Sequence, residues 1–177
     1  MAQANANEPA FKAINMSVLT VSDSRTREND TSGDALQQCL EQAGHRLIER
    51  RLVPDDIFLM RAAVSIWIAE PEIDCILVTG GTGITGRDST PEALRPLMER
   101  EIPGFGELFR HYSLAEIGAS TIQSRAFAGS ANATLIFGMP GSTAACRTAW
   151  QRILQPQLDS RTRPCNFVSL MPRLNEK

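Results

Sequence analysis

A glycine-rich loop constrains the fold of this chain more than any other feature. Four of the seven residues from position 80 to 86 are glycine, and the apolar run 75–78 before them is typical of a buried strand. Each fixed glycine costs about 1 kcal/mol of backbone entropy relative to alanine. Such a loop therefore indicates positive φ angles or a closely approaching ligand, and its backbone N–H groups suit an anion.

Residues that start a helix follow this loop directly. Ser89 or Thr90 can serve as the N-cap, Pro91 suits the first turn, and Glu92 favours the positive end of the helix dipole. The stretch 76–98 is thus predicted to form a strand, an anion-binding loop and a helix.

Arg87 and Asp88 place a cation and a carboxylate beside the predicted anion site, as the binding of a phosphate with its magnesium requires. A tight turn without a ligand is the alternative. A Walker A loop is excluded because no Gly-Lys-Ser/Thr follows. The dinucleotide pattern G-x-G-x-x-G is present, but the helix begins later than that motif demands.

Length and composition favour one compact domain over residues 14–177 with a flexible tail at 1–13. The net charge of -2 gives no electrostatic case for nucleic acid or an anionic membrane. No window reaches the apolar length of a membrane span, and residues 1–12 do not form a signal peptide, so we expect a cytoplasmic protein.

The choice of cations and the scattered cysteines add two further constraints. Every cation between Lys12 and Lys177 is arginine, which suits bidentate contact with phosphate or carboxylate, on a ligand or across a subunit interface. The alternative explanation for the many arginines is a GC-rich genome, whose codon usage favours arginine. The four cysteines and two histidines stand far apart, so a histidine-based zinc site has little support.

The first half of the chain alternates strands and helices. Strands are predicted at 14–21 and 46–53, with a polar loop at 22–30 between the first strand and a helix. Thr31 or Ser32 is expected to cap that helix, whose N-terminus is a second candidate anion site and which ends at Gly44.

Two acids, Asp55 and Asp56, follow the second strand and precede a helix at 57–68. Capping is the ordinary role for one of them. Because Asp55 and Asp88 both follow strands at one sheet edge, they could share a magnesium ion.

The second half of the chain is less regular. Residues 103–110 mix glycines with a helix start, and Ser113 opens a predicted capping box for a short helix that ends near Gly118. The runs 120–129 and 134–139 could form a hairpin. A turn and a helix follow, Pro156 is expected to break that helix, and 158–177 is a tail. Together these elements predict a three-layer α/β/α domain with a mostly parallel sheet and one antiparallel hairpin.

Several motifs in fixed order resemble the MoaB/MogA family of molybdenum cofactor biosynthesis proteins. They are TVSD, DTSG, TGGTGITGRDSTPEAL, PGFGELFR, STIQSRAFAG and MPGS. The similarity covers nearly all of 14–165, and the closing RTAW and QPQLDSRTRPCN are closer to the MoaB branch.

The resemblance implies the same three-layer fold in a homo-oligomer, trimer or hexamer. It implies molybdopterin as substrate or ligand, whose terminal phosphate is adenylylated by Mg-ATP, and a molybdate-inserting enzyme as partner. A non-catalytic molybdopterin-binding or scaffold protein of the same pathway is the main alternative, and an unrelated nucleotide-binding domain is the third.

The resemblance assigns chemistry to Asp88 and Asp55, as catalytic residues that hold magnesium through ATP. Ligand binding falls on a larger set: Asp23, Thr31, Ser32, Gly33, Thr79, Gly80, Gly81, Thr82, Gly83, Arg87, Pro91, Glu92, Gly104, Glu107, Ser124, Arg125, Pro140, Gly141 and Ser142.

Overall fold

A computed structural model describes residues 10–176, so most of the predicted tail at 1–13 lies outside the described residues. Its centre is a six-stranded sheet. The strands are β1 Asn15–Val21, β2 Arg46–Val53, β3 Cys75–Thr79, β4 Arg100–Glu101, β5 Phe127–Ala131 and β6 Thr134–Met139. The helices are α1 Thr31–Gln42, α2 Ile57–Ala69, α3 Thr90–Leu94, α4 Pro103–Ile117, α5 Thr143–Ala149, α6 Gln155–Leu158 and α7 Phe167–Leu170.

The strand order is β2-β1-β3-β6-β5-β4, and the first four strands in that order run parallel. β5 runs antiparallel to both β6 and β4. The predicted hairpin is thus β5–β6, which turns at Asn132 and Ala133, both with positive φ. The mostly parallel sheet and its antiparallel hairpin are confirmed.

Alternate residues of the buried strands supply two separate cores, because side chains of a strand point to opposite faces in turn. Met16 and Val18 of β1 pack with α1, α4 and α5, whereas Leu19 packs on the other face with α2 and α3. Helices therefore cover both faces, and the predicted three layers are confirmed.

The two helical connections beside β1 run in opposite directions across the sheet, and each covers a different face. The chain passes through α1 to the edge strand β2, and then through α2 back across β1 to β3. In open α/β sheets, ligands bind at such a reversal, beyond the carboxyl ends of the strands. The glycine loop after β3 lies there.

Four local predictions are wrong. Asp30, rather than Thr31 or Ser32, caps α1, because its buried carboxylate accepts the N–H of Gly33 at 3.0 Å. Ser113 is no cap but a buried residue inside α4, which runs unbroken to the positive-φ residue Gly118.

The other two errors concern the hairpin and the last long helix. Only the end of the run 120–129 is strand, since Gly118–Gln123 is a 3₁₀ helix. Pro156 does not end the helix either: a π-helical turn at Trp150–Leu154 leads directly into α6, and Pro156 sits in its first turn, where a missing N–H is tolerated.

The sequence also gave no sign of the two-residue strand β4 or of α7 in the predicted tail. Among residues 10–176, no helix combines the length and apolar character that a membrane span requires.

Candidate functional site

The glycine loop after β3 has a backbone that only glycine accepts at its first two positions. Gly80 and Gly81 have φ angles of 106° and 61°. A Cβ on Gly80 would lie 2.1 Å from the carbonyl oxygen of Val21 at the end of β1. Thr90 fixes the loop from the following helix, since its N–H donates to the Gly81 carbonyl at 3.0 Å and its hydroxyl to the Gly80 carbonyl at 2.8 Å.

The missing side chains of this loop also make room for both predicted acids. A Cβ on Gly81 would lie 2.6 Å from Oδ2 of Asp55, and one on Gly83 would lie 2.6 Å from Oδ2 of Asp88. Gly86 differs from these glycines, because it has nothing within 4 Å of its Cβ position. The loop therefore carries one carboxylate against Gly81 and another against Gly83.

Asp88 is held by the residue three positions before it. Its Oδ2 accepts the N–H of Thr85 at 2.9 Å and the Thr85 hydroxyl at 2.6 Å. Burial raises the pKa of Asp88, but hydrogen bonds from Thr85 and Gly83, together with the charge of Arg125, outweigh it. The pKa of Asp88 thus lies below its ordinary value, and the side chain is an anion at neutral pH.

Asp55 is fixed from both sides. Its Oδ1 accepts the hydroxyl of Ser89 at 2.5 Å and the Ser89 N–H at 3.2 Å, while its own N–H donates to Asp23 at 3.0 Å. The neighbouring Asp56 caps α2 through the N–H groups of Phe58 and Leu59. The two consecutive acids therefore have different contacts.

Arg87 contacts a carboxylate of the protein. Its guanidinium donates two hydrogen bonds to Asp23, at 2.9 and 2.7 Å, and the bond from Arg87 lowers the pKa of Asp23. Because Asp23 follows β1 and Arg87 follows β3, this exposed pair joins the loops after these two strands. The structure brings these two predicted ligand residues together as an ion pair.

Arg125 braces the same loop from the opposite side. Its Nε donates to the Gly83 carbonyl at 2.6 Å, its Nη2 to the Asp88 carbonyl at 2.5 Å, and its Nη1 to the Glu92 carboxylate. Its own N–H donates to the Thr82 carbonyl at 3.0 Å. One arginine thus links the loop, α3 and the segment before β5.

A cavity of about 350 Å³, the loop cavity, opens between the ends of β1, β3 and β6. The predicted residues that line it are Ser32, Gly80, Gly81, Thr82, Gly83, Asp88, Pro140 and Gly141. The hydroxyl of Thr82 is buried and has no hydrogen-bond partner. Arg25 also lines the loop cavity, and the sequence reasoning missed it. Its position in the polar loop after β1 was the available signal.

Two further cavities lie near the loop cavity. An outer cavity of about 350 Å³ shares Asp88 with it and also includes Thr85 and Ser89. A larger one of about 630 Å³, the α4 cavity, shares Glu92 and Arg125 with the outer cavity. Five predicted residues line the α4 cavity: Pro91, Glu92, Glu107, Ser124 and Arg125. These three cavities are neighbours because they share lining residues, and together we call them the connected cleft; Asp88 lines two of them.

Several predicted residues shape this cleft from outside these three cavities. Thr79 donates its hydroxyl to the Pro140 carbonyl at 3.0 Å, and Ser142 caps α5. Gly33 leaves space for Asp30, whose Oδ2 would lie 2.2 Å from a Cβ at that position. The hydroxyl of Thr31 accepts a hydrogen bond from the hydroxyl of Thr143 at 2.9 Å.

Gly104 has no contact that depends on its being glycine. It lies in the exposed first turn of α4, with nothing within 4 Å of its Cβ position. The structure thus gives no physical reason for a ligand role at this residue.

Comparison with known proteins agrees with this architecture. A family model described as "Probable molybdopterin binding domain" matches residues 17–160. Molybdenum cofactor biosynthesis protein B of Escherichia coli K12 is 55% identical over 157 residues, which cover 89% of this chain and 92% of that protein. The chain belongs to the MoaB/Mog family of molybdenum cofactor biosynthesis proteins.

Solved structures of the MoaB/Mog family have the same fold. A crystal structure of molybdenum cofactor biosynthesis protein B aligns with a TM-score of 0.82 and 42% identity, covering 85% of this chain and 94% of that one. A structure of MogA aligns with a TM-score of 0.71 and 28% identity, covering 77% and 89%. The greater similarity to MoaB agrees with the branch that the closing motifs indicated.

Acidic side chains at this site raise the question of a metal ion. Within residues 10–176, no group of three or more His, Cys, Asp or Glu side chains could hold a metal ion. Magnesium bound together with phosphates needs only one or two protein carboxylates. Asp88 fits that requirement because it lines two of the cavities, and Asp55 lies against the nearby Gly81 although it lines none of the three.

Proposed function

We propose that the protein binds molybdopterin in the connected cleft and adenylylates its terminal phosphate with Mg-ATP. One observation carries the proposal: a glycine loop at the carboxyl end of the parallel strands lines a cavity, and it has one carboxylate against Gly81 and another against Gly83. Family membership supports molybdopterin as the ligand.

The proposed reaction joins the pterin phosphate to the adenylyl group. An oxygen of the terminal phosphate attacks the α-phosphorus of ATP, the bond between that phosphorus and the β-phosphate oxygen breaks, and pyrophosphate leaves. The products are adenylyl-molybdopterin and pyrophosphate. A molybdate-inserting enzyme is the proposed consumer of the adenylylated product.

The residues of the chain contribute mainly position and charge. The N–H groups of Gly81 and Thr82 would reach phosphate oxygens, whereas the N–H of Gly80 donates to the Met139 carbonyl at 3.0 Å and that of Gly83 donates to Asp88. Asp55 and Asp88 would hold the magnesium that accompanies ATP, and the ion would neutralise charge on the phosphates. Thr85 and Ser89 keep the two carboxylates in place, which limits their reorganisation during the reaction.

One feature favours a second candidate, a pterin-binding protein without catalysis. Asp88 and Asp55 each accept two hydrogen bonds from the segment between β3 and α3, and such bonds also suit a purely structural brace. In that case Asp88 would stabilise the loop, and its loss would weaken pterin binding without any reaction being affected.

The direct test incubates purified protein with molybdopterin and Mg-ATP and follows adenylyl-molybdopterin by chromatography. We expect product from the parent chain and a loss of about a hundredfold or more in Asp88→Asn and Asp55→Asn. Asp56→Asn is the matched control, because asparagine also caps helices and the Asp56 carboxylate accepts its hydrogen bonds from Phe58 and Leu59 of α2. Absence of product from the parent chain would favour the binding protein.

A further inference from the structure

We propose that Arg25 is the cation that fixes a phosphoryl group in the loop cavity, with the Thr82 hydroxyl as a second donor to it. The inference rests on the proposed function and adds to it a binding residue that neither the motif resemblance nor the glycine loop indicated. It concerns the anionic group alone, so it can be tested with simple phosphates.

The guanidinium of Arg25 is held in place before any ligand arrives. Its Nη1 donates to the hydroxyl of Ser32 at 2.8 Å, and its Nη2 to the carbonyl of Gly141 at 2.9 Å. These partners belong to the first turn of α1 and to the turn after β6, so the guanidinium spans two walls of the cavity. About a quarter of the side chain, 26%, remains exposed. A preorganised arginine of this kind binds phosphate with little further loss of entropy.

The charge of Arg25 is only partly offset by its protein neighbours. Asp30 lies 3.4 Å from Arg25 but 2.7 Å from Arg50, whose side chain is also buried. The same carboxylate accepts hydrogen bonds from Thr20 and Gly33. Arg50 also pairs with Asp34, and Arg25 makes the longer contact with Asp30 while it lines the loop cavity, so its guanidinium can still bind an anion there.

Thr82 supplies an independent observation that indicates a ligand. Its side-chain oxygen is buried, the residue is 2% exposed, and that oxygen has no hydrogen-bond partner. Thr82 lines the same cavity as Arg25. A buried hydroxyl without a partner destabilises the free protein, and a rotation of the Thr82 side chain toward the loop cavity would let a phosphoryl oxygen provide the acceptor that it lacks.

Asp88 lines the loop cavity as well and repels a free anion. The cavity thus carries one guanidinium and one carboxylate, which suits a phosphoryl group that arrives with a cation. Removal of the Asp88 charge should therefore strengthen the binding of a bare phosphate, even though it impairs catalysis. This opposite effect separates an anion site from a general loss of structure.

The phosphoryl group has two sources in the proposed reaction, the phosphate monoester of the pterin and the triphosphate of ATP. Inorganic phosphate and tripolyphosphate serve as the two probes. Isothermal titration calorimetry in the presence of a chelator gives their affinities for the full chain. If the Arg25 substitution lowers the affinity for tripolyphosphate more, Arg25 binds the triphosphate of ATP. If it lowers the affinity for inorganic phosphate more, Arg25 binds the phosphate ester of the pterin.

We expect Arg25→Gln to weaken binding of at least one probe about tenfold or more, and Arg25→Lys to restore part of it. Asp88→Asn should tighten binding several-fold without divalent cation. Arg27→Gln is the matched control, because Arg27 lies in the same loop but lines a different cavity, beside Gln38 and Glu41. Equal affinities in the parent and Arg25→Gln, or no binding of either probe to the parent, would overturn the assignment.

Thr82→Val tests the second donor even if the arginine variants fold poorly. We expect the free variant to melt at a higher temperature than the parent, while the further rise on adding tripolyphosphate becomes smaller. A valine variant with an unchanged ligand-induced rise would refute the role of the hydroxyl. If Arg25 affects phosphate binding but the parent chain makes no adenylyl-molybdopterin, the anion site stands and the proposed reaction fails.

Discussion

At the scale of single residues, the glycines of the loop differ in what they contribute. Gly80 combines a φ of 106° with a Cβ position 2.1 Å from the Val21 carbonyl, whereas Gly86 has open space around it. We expect Gly80→Ala to lower the free energy of unfolding by about 3 kcal/mol or more, because alanine meets both strain and a backbone clash.

The matched variant Gly86→Ala should stay within about 0.5 kcal/mol of the parent. Urea unfolding of the two variants measures the difference. Equal stabilities would show that the loop backbone adapts to a side chain at position 80.

Asp30 gives a residue-scale prediction about pH. Burial raises the pKa of Asp30, but hydrogen bonds from Thr20, Arg50 and Gly33 outweigh it and lower the pKa to about 2. A depressed carboxyl pKa stabilises the fold above the unfolded value of 3.8, and that contribution is lost as pH falls from there toward 2. The expected loss is about 2 kcal/mol.

Unfolding free energies measured between pH 5 and pH 2, on the order of one reading per half unit, test this prediction. The decline should be shallower in Asp30→Asn, which has no charge to lose. Asp34→Asn should keep the parental slope, because Asp34 meets Arg50 from an exposed position. A parental slope in Asp30→Asn would contradict the account.

Residue chemistry also explains which site residues the sequence could reveal. Asp88 and Asp55 were predicted because each follows a strand and stands beside glycine or a helix start. Arg25 was missed because its partners, Ser32 and Gly141, are 7 and 116 residues away. Such contacts arise from the fold and have no local pattern. Arg87 and Asp23 were each predicted as ligand residues, but only the structure shows that they pair with each other.

At the scale of elements, helix caps provide a matched comparison. Asp56 accepts hydrogen bonds from Phe58 and Leu59 at the start of α2, whereas Ser113 lies inside α4 despite its capping-box pattern. We expect Asp56→Ala to cost about 1 kcal/mol and Ser113→Ala less than about 0.5 kcal/mol. Thermal or urea unfolding measures both, and a larger cost at Ser113 would contradict the continuous helix.

The strands and helices differ in how well the sequence predicts them. β1, β3 and β6 follow from apolar runs that match their burial, and the partly exposed edge strand β2 follows from an alternating run. β4 has only two residues, and its pairing with Gly129 and Ser130 depends on a distant strand. The capping box at Ser113 was overridden because Phe105 and Phe109 fix one long helix against the sheet.

At the scale of the whole molecule, exposed apolar side chains support the proposed homo-oligomer. Phe58 and Ile66 of α2 are 75% and 57% exposed, and Ile122 in the 3₁₀ helix after α4 is 82% exposed. Such side chains are expected at subunit interfaces. Sedimentation equilibrium should give three or six times the chain mass of 19.4 kDa. A monomer mass at all concentrations would refute the oligomer.

In the connected cleft as a whole, we expect Asp88 to support a reaction and not only the binding of the pterin. The most direct test is pyrophosphate release under saturating molybdopterin and Mg-ATP, measured beside the molybdopterin Kd in the parent and in Asp88→Asn. We predict that kcat falls about a hundredfold or more while Kd changes less than about threefold. An unchanged kcat in Asp88→Asn, or a parent chain that releases no pyrophosphate, would contradict this account.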